Sequence, residues 1–318
     1  MNPPRTPRLR WLRSRPALSV AVVLFVWIAA GLFSPGFDSW PHLRYMLALA
    51  SIIGLVGAGQ TLVVVAGGID LSVAAIVTLT TIALPMFSWS GDPTGIMAVL
   101  GVLALAVVIG LCNGIGIAWL RVHPMIMTLA MATFLQGILI LLAGGSAVTL
   151  NNPIVQWLGT ARPFDFSACV ILWIILAALV LFLLHGTPLG ARFFALGANP
   201  VTARLSGVNV SVTILCAYGL SGLLCGFAGL LALGMNGQGY IGIGDPYLLS
   251  SIAAVVLGGT SILGGSGTYG GTVPGAILLV TITALITDVN ASPGLRDVLF
   301  GTLVLVLLLV SGREAARR

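Results

Sequence analysis

The sequence predicts an all-α, polytopic membrane protein of about ten transmembrane helices, and three observations carry that expectation. Apolar residues make up 58% of the 318 and charged residues 7%, whereas about a quarter of the residues of a soluble domain are charged. Mean hydropathy is +1.12. The apolar residues gather in ten runs, at 17–33, 45–66, 70–88, 95–119, 125–144, 167–184, 212–233, 248–258, 270–286 and 297–311. Most approach the roughly 20 residues that a helix needs to cross a bilayer. Ten crossings also sort the arginines. One side holds Arg5, Arg8, Arg10, Arg13, Arg15, Arg121, Arg192, Arg204, Arg313, Arg317 and Arg318, and the other holds Arg44, Arg162 and Arg296. Eleven against three is a positive-inside bias, which puts both termini and the loop 186–210 in the cytoplasm.

In chain order, residues 1–16 read as a cytoplasmic basic tail, 17–311 as the membrane domain and 312–318 as a second short tail. The first run carries Ala29-Ala30-Gly31, which resembles a signal-peptide cleavage site. Its length and the charge balance make it a span instead. The run 248–258 is short for a crossing, as a broken helix would be. Trp40, Trp89 and Trp157 fall at outer span ends and Trp119 at an inner one, where interfacial anchors belong. Glycines four apart (Gly110/Gly114, Gly222/Gly226, Gly267/Gly271/Gly275) are expected to form flat strips for close helix packing. Cys112, Cys169, Cys216 and Cys225 lie inside apolar runs without metal-ligand spacing and read as small buried hydrophobes.

Several function classes drop out. The chain has no lysine, so it contains neither a P-loop nor a Schiff-base site. Its isoelectric point is near 9.7, but the arginines are dispersed at span ends rather than gathered on one face, so nucleic acid is not an expected partner. Residues 237–242 match GxGxxG with no strand before them and no acid at the required distance after them, and they are not a dinucleotide site. His42, His123 and His185 sit at different span ends, and no GxSxG or HExxH occurs. No enzyme activity, cofactor or metal is expected.

The polar residues that remain are few. The stretch 186–210 is the longest polar break and carries Arg192 and Arg204 but no acid. Within it Asn199 is suited to an N-cap and Pro200 to the first helical position. A short helix over 201–206 would stop at Gly207. Such a capped helix on a basic loop is expected to dock a cytoplasmic partner, with a helix resting on lipid headgroups as the alternative. Two stretches, 63–72 (VVVAGGIDLS) and 254–263 (AVVLGGTSIL), each end an apolar run in Gly-Gly, at Gly67-Gly68 and Gly258-Gly259. Paired breaks in two halves suggest a weak two-half repeat with a path at its interface. Asp70 either lines that path or caps a helix beginning at Leu71, with Ser72 beside it. Gln60, Asn113 and Gln136 are interhelical hydrogen bonders or path lining. A carrier driven by ions would place more ionisable groups inside the bundle, so the energy is expected to come from another subunit. An ion-coupled secondary transporter is the alternative.

Three motifs in order, AGGIDLSV at 66–73, GARFFALGANPVTARLSGVNV at 190–210 and IAAVVLGGTSILGGSGTYGGTVPGA at 252–276, resemble the membrane-spanning permeases of ribose-type ABC importers. GLCNG at 110–114 is similar to the inner end of that family's fourth span. The resemblance covers about residues 34–311. It implies a cobalamin-importer-like (type II) fold, two permease copies around a shared path, a cytoplasmic ABC ATPase and an extracytoplasmic solute-binding protein, in a bacterial inner membrane. It also implies a coupling helix, with Asn199, Pro200, Ala203, Arg204 and Gly207 in it, and a monosaccharide as solute. The candidate path residues are Gln60, Gly67, Gly68, Asp70, Ser72, Asn113, Gly258 and Gly259. The chain departs from the family pattern at Ala74, where GGIDLSVG is usual, at Arg121-Val122-His123-Pro124, and at Gln136-Gly137, where Arg-Gly is usual.

Overall fold

A computed structural model of the chain describes residues 15–33, 36–88 and 91–288, with 294–295, 298–299, 301–302 and 305 beyond them. Most of the basic tail, most of the run 297–311 and the tail 312–318 lie outside the described residues.

Twelve α-helices are described: α1 (Arg15–Phe33), α2 (Trp40–Val65), α3 (Val73–Phe87), α4 (Ile96–Ala118), α5 (Pro124–Ala143), α6 (Pro153–Thr160), α7 (Ala168–Gly186), α8 (Pro188–Ala198), α9 (Pro200–Leu205), α10 (Val210–Asn236), α11 (Asp245–Leu257) and α12 (Tyr269–Asp288). Six of them, α2, α4, α5, α7, α10 and α12, are long and apolar enough to cross a membrane. α3, α11 and residues 23–32 of α1 are shorter apolar helices. The chain is therefore a mostly helical polytopic membrane protein.

α2 is the central post. In its most apolar stretch 94% of residues are buried, against 17% for α5. Small residues make this possible, because a helix enclosed on every side must let its neighbours approach closely. A Cβ at Gly54 would lie 2.4 Å from the Trp173 ring, and one at Gly59 would lie 3.0 Å from Ser221 Oγ. The same node is closed by polar contacts. Trp173 Nε1 donates to Tyr269 Oη at 2.8 Å, and that hydroxyl donates to the Gly54 carbonyl at 2.9 Å. α2, α7 and α12 are thus joined through one fully buried tyrosine.

The expected glycine strips meet each other across the α4–α10 crossing. A Cβ at Gly110 would lie 2.2 Å from Tyr218 O, and one at Gly222 would lie 2.2 Å from Ala106 O. The third strip is shorter than expected: Gly271 and Gly275 pack on α11, but Gly267 precedes α12.

The two ends of α2 define the two ends of the bundle. At its N-terminal end Trp40 and Arg44 meet Asp165, in the single-turn 3-10 helix Pro163–Asp165. α6 and the C-terminal part of α10 also meet there, where Gly159 touches Gly234. A two-residue antiparallel ribbon extends from that end of α10, Val148 paired with Gly239 and Thr149 with Gln238. It occupies the stretch that matched GxGxxG. The other end of α2 carries the glycine turns.

Two local expectations need correction. The helix after Asp70 begins at Val73 with Ser72 at its N-cap, not at Leu71. Residues 188–198, read as loop, are the helix α8, started by Pro188 and a Thr187 side-chain cap. α6 lies between the runs 125–144 and 167–184, and its N-cap is Asn152. The run 248–258 is short as expected, a helix of 13 residues, Asp245–Leu257, that stops at Gly258.

Candidate functional site

Three helices, α2, α11 and α9, end in turns of one construction. After α2, Gly67 N donates to Val64 O and Gly68 N to Val63 O, both at 2.9 Å, with Gly67 at φ +87°. After α11, Gly259 N donates to Val256 O at 2.9 Å and Thr260 N to Val255 O at 3.2 Å, with Gly259 at φ +83°. After α9, Gly207 N donates to Arg204 O and Val208 N to Ala203 O, both at 3.0 Å, with Gly207 at φ +82°. Each is a Schellman stop, in which a left-handed glycine turns two N–H groups back onto orphan helix carbonyls. The equivalent residues of the two Gly-Gly pairs are Gly67 and Gly259. Aligning the two stretches by their Gly-Gly pairs therefore misplaces the turn by one residue.

The turns converge. Gly265 N donates to Val65 O at 3.0 Å, so the loop after α11 satisfies the last carbonyl of α2. Gly197, near the end of α8, lies against the same atoms: a Cβ there would be 1.9 Å from Val65 O and 2.5 Å from Gly265 N. A Cβ on Gly264 would be 2.9 Å from both Gly67 Cα and Gly197 O. Main chain packs on main chain, which only glycine permits at such a distance. The three stretches singled out in the sequence thus form one junction.

α8 is held down by fully buried Phe193 and by Leu196, and His185 Nε2 contacts Thr268 Oγ1 at 3.0 Å beside it. α9 is held differently. Asn199 Oδ1 accepts from Val201 N at 2.9 Å and Thr202 N at 3.1 Å, as an N-cap should. Only Ala203 of α9 is buried, while Val201, Thr202, Arg204 and Leu205 are exposed. The short helix is fastened at its ends and by one methyl group. It presents an apolar and basic face.

Behind the junction lies a polar network that ties residues 68–72 to the bundle. Asp70 Oδ1 accepts from Ser72 N at 2.9 Å and Ser72 Oγ at 2.6 Å, and Asp70 Oδ2 accepts from Ser221 Oγ of α10 at 2.9 Å. Asn113 Nδ2 of α4 donates to Ser72 Oγ at 2.9 Å. Leu71 N donates to Thr128 Oγ1 of α5 at 3.1 Å. Asp70, Ser72, Asn113 and Ser221 are fully buried. A carboxylate in such a place is tolerated only when its lone pairs are occupied. Asp70 does bond the N-cap residue of α3, but its longer reach is to α10.

The structure therefore brings Gly67, Gly68, Asp70, Ser72 and Asn113 together, and connects Gly258 and Gly259 to them through Gly264 and Gly265. Gln60 stands apart. It is fully buried, and neither of its amide atoms has a partner among the described residues. Asn113 Oδ1 shares that condition. Sequence reasoning missed Gly197, Gly264, Gly265, Ser221 and Thr128. For the first three the signal was present as glycine inside two motifs already singled out. Ser221 and Thr128 gave none, since a hydroxyl in a span usually bonds its own helix.

Residues 43–308 match the family described as the permease component of branched-chain amino acid transport systems. The chain belongs to that family. The permease is also 32% identical over 308 residues to the ribose import permease of Escherichia coli strain K12, covering 96% of this chain and 95% of that one. It is 32% identical to the galactose/methyl galactoside import permease of Salmonella typhimurium strain LT2, over 98% and 97% of the two chains. It is 30% identical to the fructose import permease of Rhizobium meliloti, over 94% and 86%. The permease is a transport component rather than an enzyme, and among the described residues no group of His, Cys, Asp and Glu is placed to hold a metal ion.

Proposed function

We propose that the permease is the transmembrane subunit of an ABC importer that carries a monosaccharide into the bacterial cytoplasm. The observation that carries the reading is the contact of Gly197 with Val65 and Gly265. It seats α8, and with it the exposed α9, directly on the turns that end α2 and α11.

The reading has these parts. α9, with Asn199, Pro200, Ala203, Arg204 and Gly207, is the coupling helix that a cytoplasmic ATPase grips. Its exposed Val201, Leu205 and Arg204 offer apolar contact and positive charge to that partner. Movement of α9 reaches α2 and α11 through main-chain contact at the junction. It reaches α4, α5 and α10 through Asp70, Ser72 and Asn113, which shape the inner end of the path with Gln60, Gly67, Gly68, Gly258 and Gly259. Two copies, identical or related, enclose the path, and an extracytoplasmic binding protein delivers the sugar. The subunit has about ten spans in a type II arrangement, with both termini cytoplasmic. The shared Schellman stops after α2 and α11 support a weak two-half repeat. The names of the sugar import permeases it resembles support the solute class.

A secondary carrier would need a titratable group in the bundle that exchanges its ion. Among the described residues Asp70 is the one fully buried acid, and both its oxygens already accept hydrogen bonds. The test is Arg204→Glu. The variant inserts into the membrane at the normal level but no longer copurifies with the ATPase, and ATP-driven uptake is lost. Normal copurification and uptake would refute the docking role. Uptake by the chain alone, driven by an ion gradient in liposomes, would refute the ABC reading altogether.

A further inference from the structure

A second polar place lies away from the glycine junction, between α3, α5 and the loop that enters α11. It is a cavity of about 190 Å³ whose walls include Thr78, Gln136, Leu139, Ile140, Ile241 and Asp245. Gln136 lies past the midpoint of α5, and Asp245 is the first residue of α11. Neither side chain makes a hydrogen bond to any other described residue, although both line the same small space.

The loop carrying Asp245 is held firmly. Thr78 Oγ1 accepts from Gly244 N at 3.1 Å while donating to Ala74 O at 3.0 Å. A Cβ at Gly244 would lie 2.1 Å from that same Ala74 carbonyl. The carboxylate itself stands close to Gly242, whose Cβ would be 3.2 Å from Asp245 Oδ2. The acid is therefore positioned by α3, although it belongs to α11.

The face of α5 beside the cavity mixes polar residues with the exposed apolar Leu129 and Ile140. Thr133, Gln136 and Gly137 are all exposed on it, spaced three and four apart, and α5 is the least buried of the six candidate spans. A carboxamide turned towards hydrocarbon leaves several donors and acceptors unsatisfied. Polar residues within a span face the protein interior or a water-filled path instead.

We propose that this cavity is a solute-recognition site within the permease, and that it takes a neutral polyhydroxylated solute, a monosaccharide. This rests on the importer reading above for its place on the path. The Asp245 carboxylate accepts from adjacent hydroxyls, and the Gln136 amide both donates and accepts. Leu139, Ile140 and Ile241 meet the C–H face of the ring. Pockets for drug-sized ligands run to roughly 300–1,000 Å³, so this smaller one suits a single sugar ring. An amino acid could set its ammonium on Asp245, but no lining residue is basic, so its carboxylate would be left without a counter-charge.

The test is binding of D-ribose, D-fructose, D-galactose and L-leucine, one at a time, to the detergent-purified full-length chain by calorimetry. At least one sugar binds and leucine does not. Asp245→Asn and Gln136→Ala each weaken the bound sugar about ten-fold, the effect of losing one or two hydrogen bonds, with unchanged thermal stability. No sugar binding by the wild type, leucine binding, or variants that bind as the wild type does would each overturn the site. ATP-driven uptake by the assembled complex reads the importer function separately. Sugar binding without any ATP dependence of uptake would keep the site and sink the importer reading. Normal ATP-driven uptake with both variants binding sugar as the wild type does would do the reverse.

Discussion

Gly197 and Val65 are 132 residues apart in the chain, yet there is no room for a methyl group between the α-carbon of one and the carbonyl of the other. That carbonyl already accepts from Gly265 N, so it cannot turn aside without breaking a bond. Gly197→Ala is expected to destabilise the purified chain by about 1–3 kcal/mol, the usual cost of overpacking, and to reduce ATP-driven uptake further than stability alone explains. Gly270→Ala is the comparison. Its nearest neighbour would be 3.6 Å away, and it should leave the thermal midpoint unchanged.

The Asp70 network offers a graded test. Asp70→Ala leaves Ser72 N, Ser72 Oγ and Ser221 Oγ without their acceptor. Each buried group left unsatisfied costs about 1–3 kcal/mol, so unfolding should begin at markedly lower temperature. Asp70→Asn retains an acceptor for Ser72 and presents an amide that the Ser221 hydroxyl can accept from. A smaller loss is expected. Equal effects of the two substitutions would show that the charge and the second acceptor oxygen, which the amide lacks, are what matter, not the shape.

The cap on α9 is separable from its docking face. Asn199→Ala removes the acceptor for Val201 N and Thr202 N, which costs about 1 kcal/mol of helix stability. Hydrogen exchange at residues 201–205 should accelerate about five-fold in consequence. Partner capture weakens less than in Arg204→Glu. Unchanged exchange would mean that Pro200 and the Gly207 stop suffice to hold the helix.

At the opposite end, Asp165 carries a pH dependence. The Trp40 indole, donating to Asp165 Oδ2 at 2.7 Å, is the largest cause that holds its carboxyl below the ordinary value of 3.8, and attraction to Arg44 and Arg162 adds to it. A depressed folded-state value means that the contact stabilises the fold fully above the unfolded value and loses that effect as pH falls below 3.8, through the folded one. Fluorescence of the chain's tryptophans, compared with that of Trp40→Phe, should show a transition only at such low pH. Asp165→Asn should remove it.

The kind of protein, its helical class and the placing of the three glycine motifs were legible in the residues, because each rests on short-range chemistry. Composition and run length set the membrane class. Asn199-Pro200 and Gly207 bound α9 at the positions where caps and stops belong, since those preferences are local to one turn of chain. α8 was not legible. Its residues 188–198 mix glycine, arginine and apolar positions without enough hydropathy to mark a span, and it is stable because Phe193 and Leu196 reach the core.

Nothing in the order of residues said that Gly197 would lie on Val65, that Ser221 would reach Asp70, or that Gln136 and Asp245 would share a cavity. These pairs are separated by 132, 151 and 109 residues. A glycine or a serine looks the same in sequence whether it faces lipid or another backbone. Which neighbour it meets depends on how the enclosed helix α2 aligns the helices around it, and that alignment belongs to the whole bundle at once.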